Sequence, residues 1–407
     1  MTDPAILGQV VLGYSPFVER NRAVTATRLT VFPLRPDAVL DATQLLDIVV
    51  SVWPATGGQV LLNVISESLL HDLIRAPLPA NVMLEVPSFM AADPANQDAL
   101  CARHAQGSTL LVKSRPLKDL PSQVLPWFKY SIIDVAEERR ITDLAPPAGV
   151  TRSLGHVQSG VRTIAGMEEA FARGAHAVLG WPIDDPVTAN TGNTAATASG
   201  SQHIVAPGME VIAELMRRVD MEEPIAKLEA TLKRDPPLAF KLLRYINAPA
   251  FGLRVEISSF QHAIMMLGYK RLKRWLALLL ATAGKDAKLK PVMFAALRRG
   301  LLMEELVRSG GDEEMRGEIF ICGVFSLLDH MFQQPFEQLL HSLPVPERVR
   351  QALVDNTGPY QPYIDVVRAV ETGSLFDFRE AADKLMMSAA EINRALLRAL
   401  TAASELE

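Results

Sequence analysis

The stretch TANTGNTAATASGSQ, residues 188–202, constrains this chain more than any other feature. It lacks large apolar side chains and is rich in Thr, Ala, Asn, Gly and Ser. Such a segment cannot bury enough surface to repay the entropy of ordering, so it predicts a flexible linker. A chain of 407 residues also exceeds one typical domain of about 100–200 residues. The expected division is therefore 1–187, linker 188–202, and 203–407.

The hydrophobic patterns on the two sides differ. Before the linker, VVLGYSPFVE, TRLTVF, QVLLNVIS, NVMLEVP, STLLVKS and YSIIDVA read as strands, from clustered β-branched residues and turn-like flanks. DATQLLDIVVSVWP, ESLLHDLIRA, DALCARHAQG and GMEEAFARGA read as the helices between them. Alternating strands and helices imply a mainly parallel sheet, open or closed into a barrel. After the linker the apolar spacing is helical, as in GMEVIAELMRRV and YKRLKRWLALLLATA. Pro224 is suited to a helix start, and Gly268 to a helix end. The fold class expected is α/β followed by all-α.

Composition narrows the function. The net charge of −5 excludes a chain-wide affinity for nucleic acid or anionic membrane. Cys101 and Cys322 stand alone, with no zinc-ligand spacing. The beginning of the sequence has Asp3 and no basic run, unlike a signal peptide. The apolar run from Trp275 to Gly284 is about half of the roughly 20 residues that span a bilayer. A cytoplasmic protein is the expectation.

Within the helical half, LEATLKRDPPL carries Asp235 and Pro236, and KLLRYINAPAFG carries Asn247 and Gly252. ISSFQHAIMMLGYKRLKRWL then supplies Ala263, Leu267 and Gly268. In this order the pieces resemble the HDOD domain of bacterial signalling proteins, with Ala248–Pro249 where Ser–Ala is usual. The related catalytic HD proteins hold metal with a His–Asp doublet. Here Asp329 precedes His330, and the doublet His71–Asp72 falls in the other half on an amphipathic helix. His262 is expected to be structural.

The first half resembles the EAL domain, a barrel phosphodiesterase of cyclic di-GMP, through GYSPFVERNRAVTATRLTVFP and the motifs after it. The resemblance sets Thr27–Arg28–Leu29 on the signature Glu–Ala–Leu and Val31 on a substrate-binding Arg. Asn63, Glu85 and Asp134 are retained. Ser88, Lys113, Ser114 and Ser159 replace carboxylates, Arg162 replaces a Glu, Ile132 a Lys and Leu179 a Gln. Two-metal phosphodiester cleavage needs several carboxylates around the cations. The substitutions remove them and turn the site basic, so no metal, cofactor or catalytic residue is expected. Glu85 and Asp134 are expected to form ion pairs with Lys113 or Arg162.

Residues 205–290 hold 15 Lys and Arg against 9 Asp and Glu, an excess of +6 in a chain of net −5. Lys270, Arg271, Lys273 and Arg274 form a candidate surface for an acidic partner, with Leu272, Trp275, Leu276 and Leu279 facing inward. The sequence thus reads as a bacterial signalling protein with a degenerate EAL-like barrel as scaffold and an HDOD output module that binds protein. Neither cyclic di-GMP binding nor nucleic acid is expected. The competing reading is a receptor for cyclic di-GMP or another nucleotide, or a residual phosphodiesterase, using Arg28, Lys113 and Arg162 on phosphates.

Overall fold

The computed structural model describes residues 4–55, 57–114, 120–121, 123–139, 154–186, 207–232, 260–282, 287–342 and 345–406. The linker 188–202 and the motif residues Asp235, Pro236, Asn247 and Gly252 lie outside the described residues.

Eight strands close into a barrel: β1 (Val10–Glu19), β2 (Val24–Pro33), β3 (Gln59–Val64), β4 (Val82–Pro87), β5 (Thr109–Lys113), β6 (Phe128–Asp134), β7 (Gly155–Ser159) and β8 (Ala177–Leu179). From β2 to β8 neighbouring strands are parallel, while β1 runs antiparallel to both of its neighbours. The six strands read from β-branched clusters all form. β7 and β8 escape that reading because β7 carries buried polar residues and β8 has three residues. Gln158 of β7 is satisfied inside the sheet, donating from Nε2 to the Ile133 carbonyl at 2.9 Å.

Helices over Ala42–Val52, Glu67–Arg75, Pro94–Ala105 and Ile164–Ala172 connect the strands. Their starts are set by Asp41, Ser66, Asp93 and Thr163, whose side chains accept from free first-turn amides. Each such cap is worth about 1 kcal/mol. The last of these helices packs Met167, Ala170 and Phe171 against Val18 and Val178 of the barrel wall.

The sequence-based boundary fails at the C-terminal end. Met1–Asp185 and Asp365–Leu397 form one compact unit, and Pro186–Ile364 with Arg398–Glu407 form the other. The physical reason lies in β1. It has ten residues, yet pairs with β8 only over Phe17–Glu19, which leaves its earlier edge open. An open edge needs partners for its amides and carbonyls. Asn393, in the helix Ala389–Leu406, supplies them. Its Oδ1 accepts from Leu12 N at 3.0 Å, and its Nδ2 donates to the Val10 and Leu7 carbonyls at 2.8 Å each. Arg379 of the helix Leu375–Leu385 adds a bond to the Leu34 carbonyl at 2.9 Å. Gly13 of β1 allows this approach, since a Cβ there would stand 3.0 Å from the Val370 carbonyl oxygen.

The second unit is helical among its described residues, with helices that include Pro207–Asp220, Ile225–Leu232, Phe260–Thr282, Lys290–Leu306 and Glu313–Phe325. Pro224 directly precedes the helix Ile225–Leu232, as expected. The helix Phe260–Thr282 breaks at Gly268, where φ is +68°. That left-handed backbone suits glycine and ends the first helical piece. Leu272, Trp275, Leu276 and Leu279 are buried, as their spacing predicts. No helix among the described residues is long and apolar enough to cross a membrane.

Candidate functional site

Strand side chains alternate between the two faces, so the barrel interior is built in layers. One layer is apolar: Phe17, Ala26, Leu61, Met83, Leu111, Ile132, Val157, Ala177 and Leu179. Two residues toward the C-terminal mouth of the parallel strands lies a polar layer. It contains Ser15, Arg28, Asn63, Glu85, Lys113, Asp134 and Ser159, and it borders cavities at the mouth.

This phase corrects the sequence register on β2. Arg28 and Thr30 line the larger cavity, and Arg28 is paired with Leu61 of the interior layer. Thr27 and Val31 are one residue out of phase and belong to the other face of the strand. A slip of one residue moves every side chain across the sheet. Arg28 therefore occupies the inward position where the resemblance placed Thr27, and Phe32 rather than Val31 borders the cavity.

The ring is internally compensated. Glu85 is buried, 1% exposed, and both of its oxygens meet Arg28: Nε to Oε1 at 2.5 Å and Nη2 to Oε2 at 2.7 Å. Lys113 Nζ stands 4.0 Å from Glu85 Oε2 and donates to Asn63 Oδ1 at 3.0 Å. Asn63 Nδ2 in turn donates to Thr30 Oγ1 at 3.2 Å. Opposite them, Asp134 accepts from Ser159 Oγ at 3.2 Å and from the Ala136 amide at 2.8 Å. The predicted pairing of Glu85 with Lys113 holds in part, with Arg28 as the closer partner. The predicted role for Arg162 does not hold, because it pairs with Asp184 at 2.5 Å on the exposed side. Nor is the ring basic, since Arg28 and Lys113 face two carboxylates, Glu85 and Asp134.

The cavity beside this ring has a volume of about 400 Å³, and its far wall comes from Val370, Glu371, Thr372 and Gly373. No sequence signal marked those residues, because their place is set by the return of the C-terminal helices. Ser114 lies at the cavity edge with φ of +67°, and Ser88 borders a second hollow of about 200 Å³ beside Glu85. Ile132 and Leu179 are interior packing.

Burial holds the Lys113 ammonium below the usual lysine range; Glu85 opposes that shift and Arg28 adds to it. The folded chain thus releases this proton at lower pH than the unfolded chain. Between the two values the unfolded state binds more protons, so stability rises with pH across that window. Lys113→Met should flatten the rise just below the ordinary lysine range. Chemical denaturation at a series of alkaline pH values measures it, and an unchanged slope would refute the assignment.

Burial pushes the Cys322 thiol up to about 12, which leaves no nucleophilic thiolate at neutral pH. His71 and Asp72 are exposed on the helix Glu67–Arg75, and His330 Nε2 lies 3.7 Å from Asp329 Oδ2. Among the described residues, no three His, Cys, Asp or Glu side chains converge in a metal-binding arrangement. A two-cation centre does not fit the barrel mouth, because Arg28 takes both Glu85 oxygens and a lysine stands beside them.

The four cations of the helical half divide. Lys270 and Arg271 are exposed. Lys273 pairs with Asp220, and Arg274 pairs with Glu304 at 2.5 Å while stacking over the Phe320 ring at 3.9 Å. The latter two are held within the fold and drop out of the predicted surface.

Residues 206–333 match the HDOD domain family. A 177-residue stretch is 27% identical to the uncharacterized protein YuxH of Bacillus subtilis, covering 42% of this chain and 43% of that protein. Another of 171 residues is 29% identical to the cyclic di-GMP phosphodiesterase CdgJ of Vibrio cholerae, covering 42% of this chain and 40% of that one. The matches thus span less than half the length of these curated relatives. Among solved structures, the PaMucR phosphodiesterase in complex with c-di-GMP gives a TM-score of 0.30 at 18% identity, over 44% of this chain and 96% of that chain.

Proposed function

We propose that this chain, with its HDOD domain at 206–333, is a non-catalytic regulator in cyclic di-GMP-related signalling. The barrel serves as a scaffold, and the helical unit binds a protein partner. The observation that carries this reading is the bidentate Arg28–Glu85 pair at the barrel mouth. A retained carboxylate whose oxygens are both held by a guanidinium is a poor cation ligand, and the adjacent ammonium raises the cost of bringing a cation there. The relation to cyclic di-GMP is supported by the motif resemblance of the barrel and by the relative named as its phosphodiesterase.

The test is hydrolysis. Purified protein with cyclic di-GMP and Mg²⁺ or Mn²⁺ should yield no linear dinucleotide above buffer, measured by chromatography. Arg28→Glu should not restore turnover, since Lys113 and Ser159 still stand where the resemblance expects carboxylates. Turnover that Asp134→Asn abolishes would overthrow the reading. The open cavity supports a second reading, a nucleotide receptor. On its wall Asp134, Glu137 and Glu371 outnumber Arg28 and Lys113, and Arg28 is already held by Glu85, so titration calorimetry should show no binding of the dianionic ligand.

A further inference from the structure

On each side of the break at Gly268 the segment Phe260–Thr282 has both buried and exposed side chains. Ile264, Leu267, Leu272 and Trp275 are buried. Met265 and Met266 are 58% and 51% exposed, and Lys270 and Arg271 follow them into solvent. Next to this stretch runs the turn after the helix Pro207–Asp220. It is pinned by the Asp220–Lys273 pair and by Tyr269, whose hydroxyl donates to the Glu223 carbonyl at 2.9 Å. Between those anchors Met221 is 64% exposed.

Three solvent-facing methionines beside two cations are an unusual use of surface. Methionine is flexible and polarisable, and it suits surfaces that adapt to another apolar face. The cations differ from their neighbours on the same helix. Lys273 and Arg274 are engaged by Asp220 and Glu304, whereas Lys270 and Arg271 make no ion pair among the described residues. Their charge is available to an incoming group.

We propose that Met221, Met265, Met266, Lys270 and Arg271 form a docking surface for an acidic amphipathic segment of a partner protein. The apolar side of such a segment would cover the methionines, and its carboxylates would meet the two cations. Charge complementarity selects this occupant. An anionic membrane gains only about 1 kcal/mol per cation, and two cations are few for that purpose. The same number of phosphate contacts is small for nucleic acid. The inference deepens the partner-binding reading above and rests on it.

The test uses the full chain and a dye-labelled, helix-forming 18-residue peptide with Leu on one face and Glu on the other. Fluorescence anisotropy should show saturable binding that weakens with salt. Lys270→Glu with Arg271→Glu should weaken it by about tenfold or more and should favour a Lys-faced peptide instead. Met265→Ser with Met266→Ser should weaken binding of the Glu-faced peptide without creating a preference for the Lys-faced one. Thermal melting checks that each variant is folded, and Met221→Ser, at a turn, offers a milder probe. Absence of saturable binding up to about 1 mM overturns the proposal. So does equal affinity of the charge-reversed variant for the two peptides. Sedimentation with phosphatidylserine-containing vesicles that depends on these residues, without peptide binding, would reassign the surface to lipid and likewise overturn it. Cyclic di-GMP turnover measured on the same preparation bears only on the non-catalytic reading, so the two failures are distinguishable.

Discussion

Replacing Asn393 with Leu should destabilise the barrel unit by at least about 3 kcal/mol. The side chain is fully buried and serves three backbone groups, Leu12 N and the carbonyls of Leu7 and Val10. Leucine has the same branching and number of heavy atoms but no hydrogen-bonding atoms, and each buried group left unpaired costs roughly 1–3 kcal/mol. For a unit of this size the shift in melting temperature is about 2–4 °C per kcal/mol, hence near 10 °C. Asn393→Asp should also destabilise, because a carboxylate can accept from Leu12 N but cannot donate to the two carbonyls. Hydrogen exchange at the Leu12 amide gives a local reading alongside the global melt. A loss below about 1 kcal/mol, with that amide still protected, would show that the C-terminal helices do not complete the barrel.

The second large effect concerns Arg28. Arg28→Ala strands Glu85, a buried carboxylate, with Lys113 4.0 Å away as its remaining ion partner among the described residues. Breaking a buried pair from one side costs about 3–5 kcal/mol, because a charge is left uncompensated. Replacing both members by apolar residues of similar size, Arg28→Met with Glu85→Leu, should return most of that stability. Urea denaturation of the single and double variants decides the matter. A double variant as unstable as Arg28→Ala would mean that the pair contributes packing or strain relief beyond charge, and an uncompensated carboxylate would no longer explain the loss.

Much of the architecture was legible because local patterns are decided by neighbours in sequence. The near-continuous apolar runs in QVLLNVIS and NVMLEVP follow from strands with one face in a barrel core and the other under helices. The caps at Asp41, Ser66, Asp93 and Thr163 act within a single turn. Gly268 similarly marks the helix break, since a left-handed residue is a local demand. The positions Asn63, Glu85, Lys113, Asp134 and Ser159, named from the motif resemblance, lie in one polar layer of the barrel. What failed on β2 was a register of one residue. Both Thr27 and Arg28 fit a strand, and only pairing with β3 settles which of them turns inward.

The sequence by itself determined that a β/α region precedes a helical one. It also determined that a basic cluster lies near Trp275. Tertiary structure alone decided who pairs with whom. Glu85 belongs to Arg28, Arg162 turns away to Asp184, and Lys273 and Arg274 are spent on Asp220 and Glu304. It also brought Asn393 to an edge 381 residues away from it in the chain. The physical reason is the range of each effect. Periodicity and caps act over a few bonds. Edge completion and ion pairing depend on which surfaces the closed barrel leaves unsatisfied, and that becomes known only once the barrel has closed.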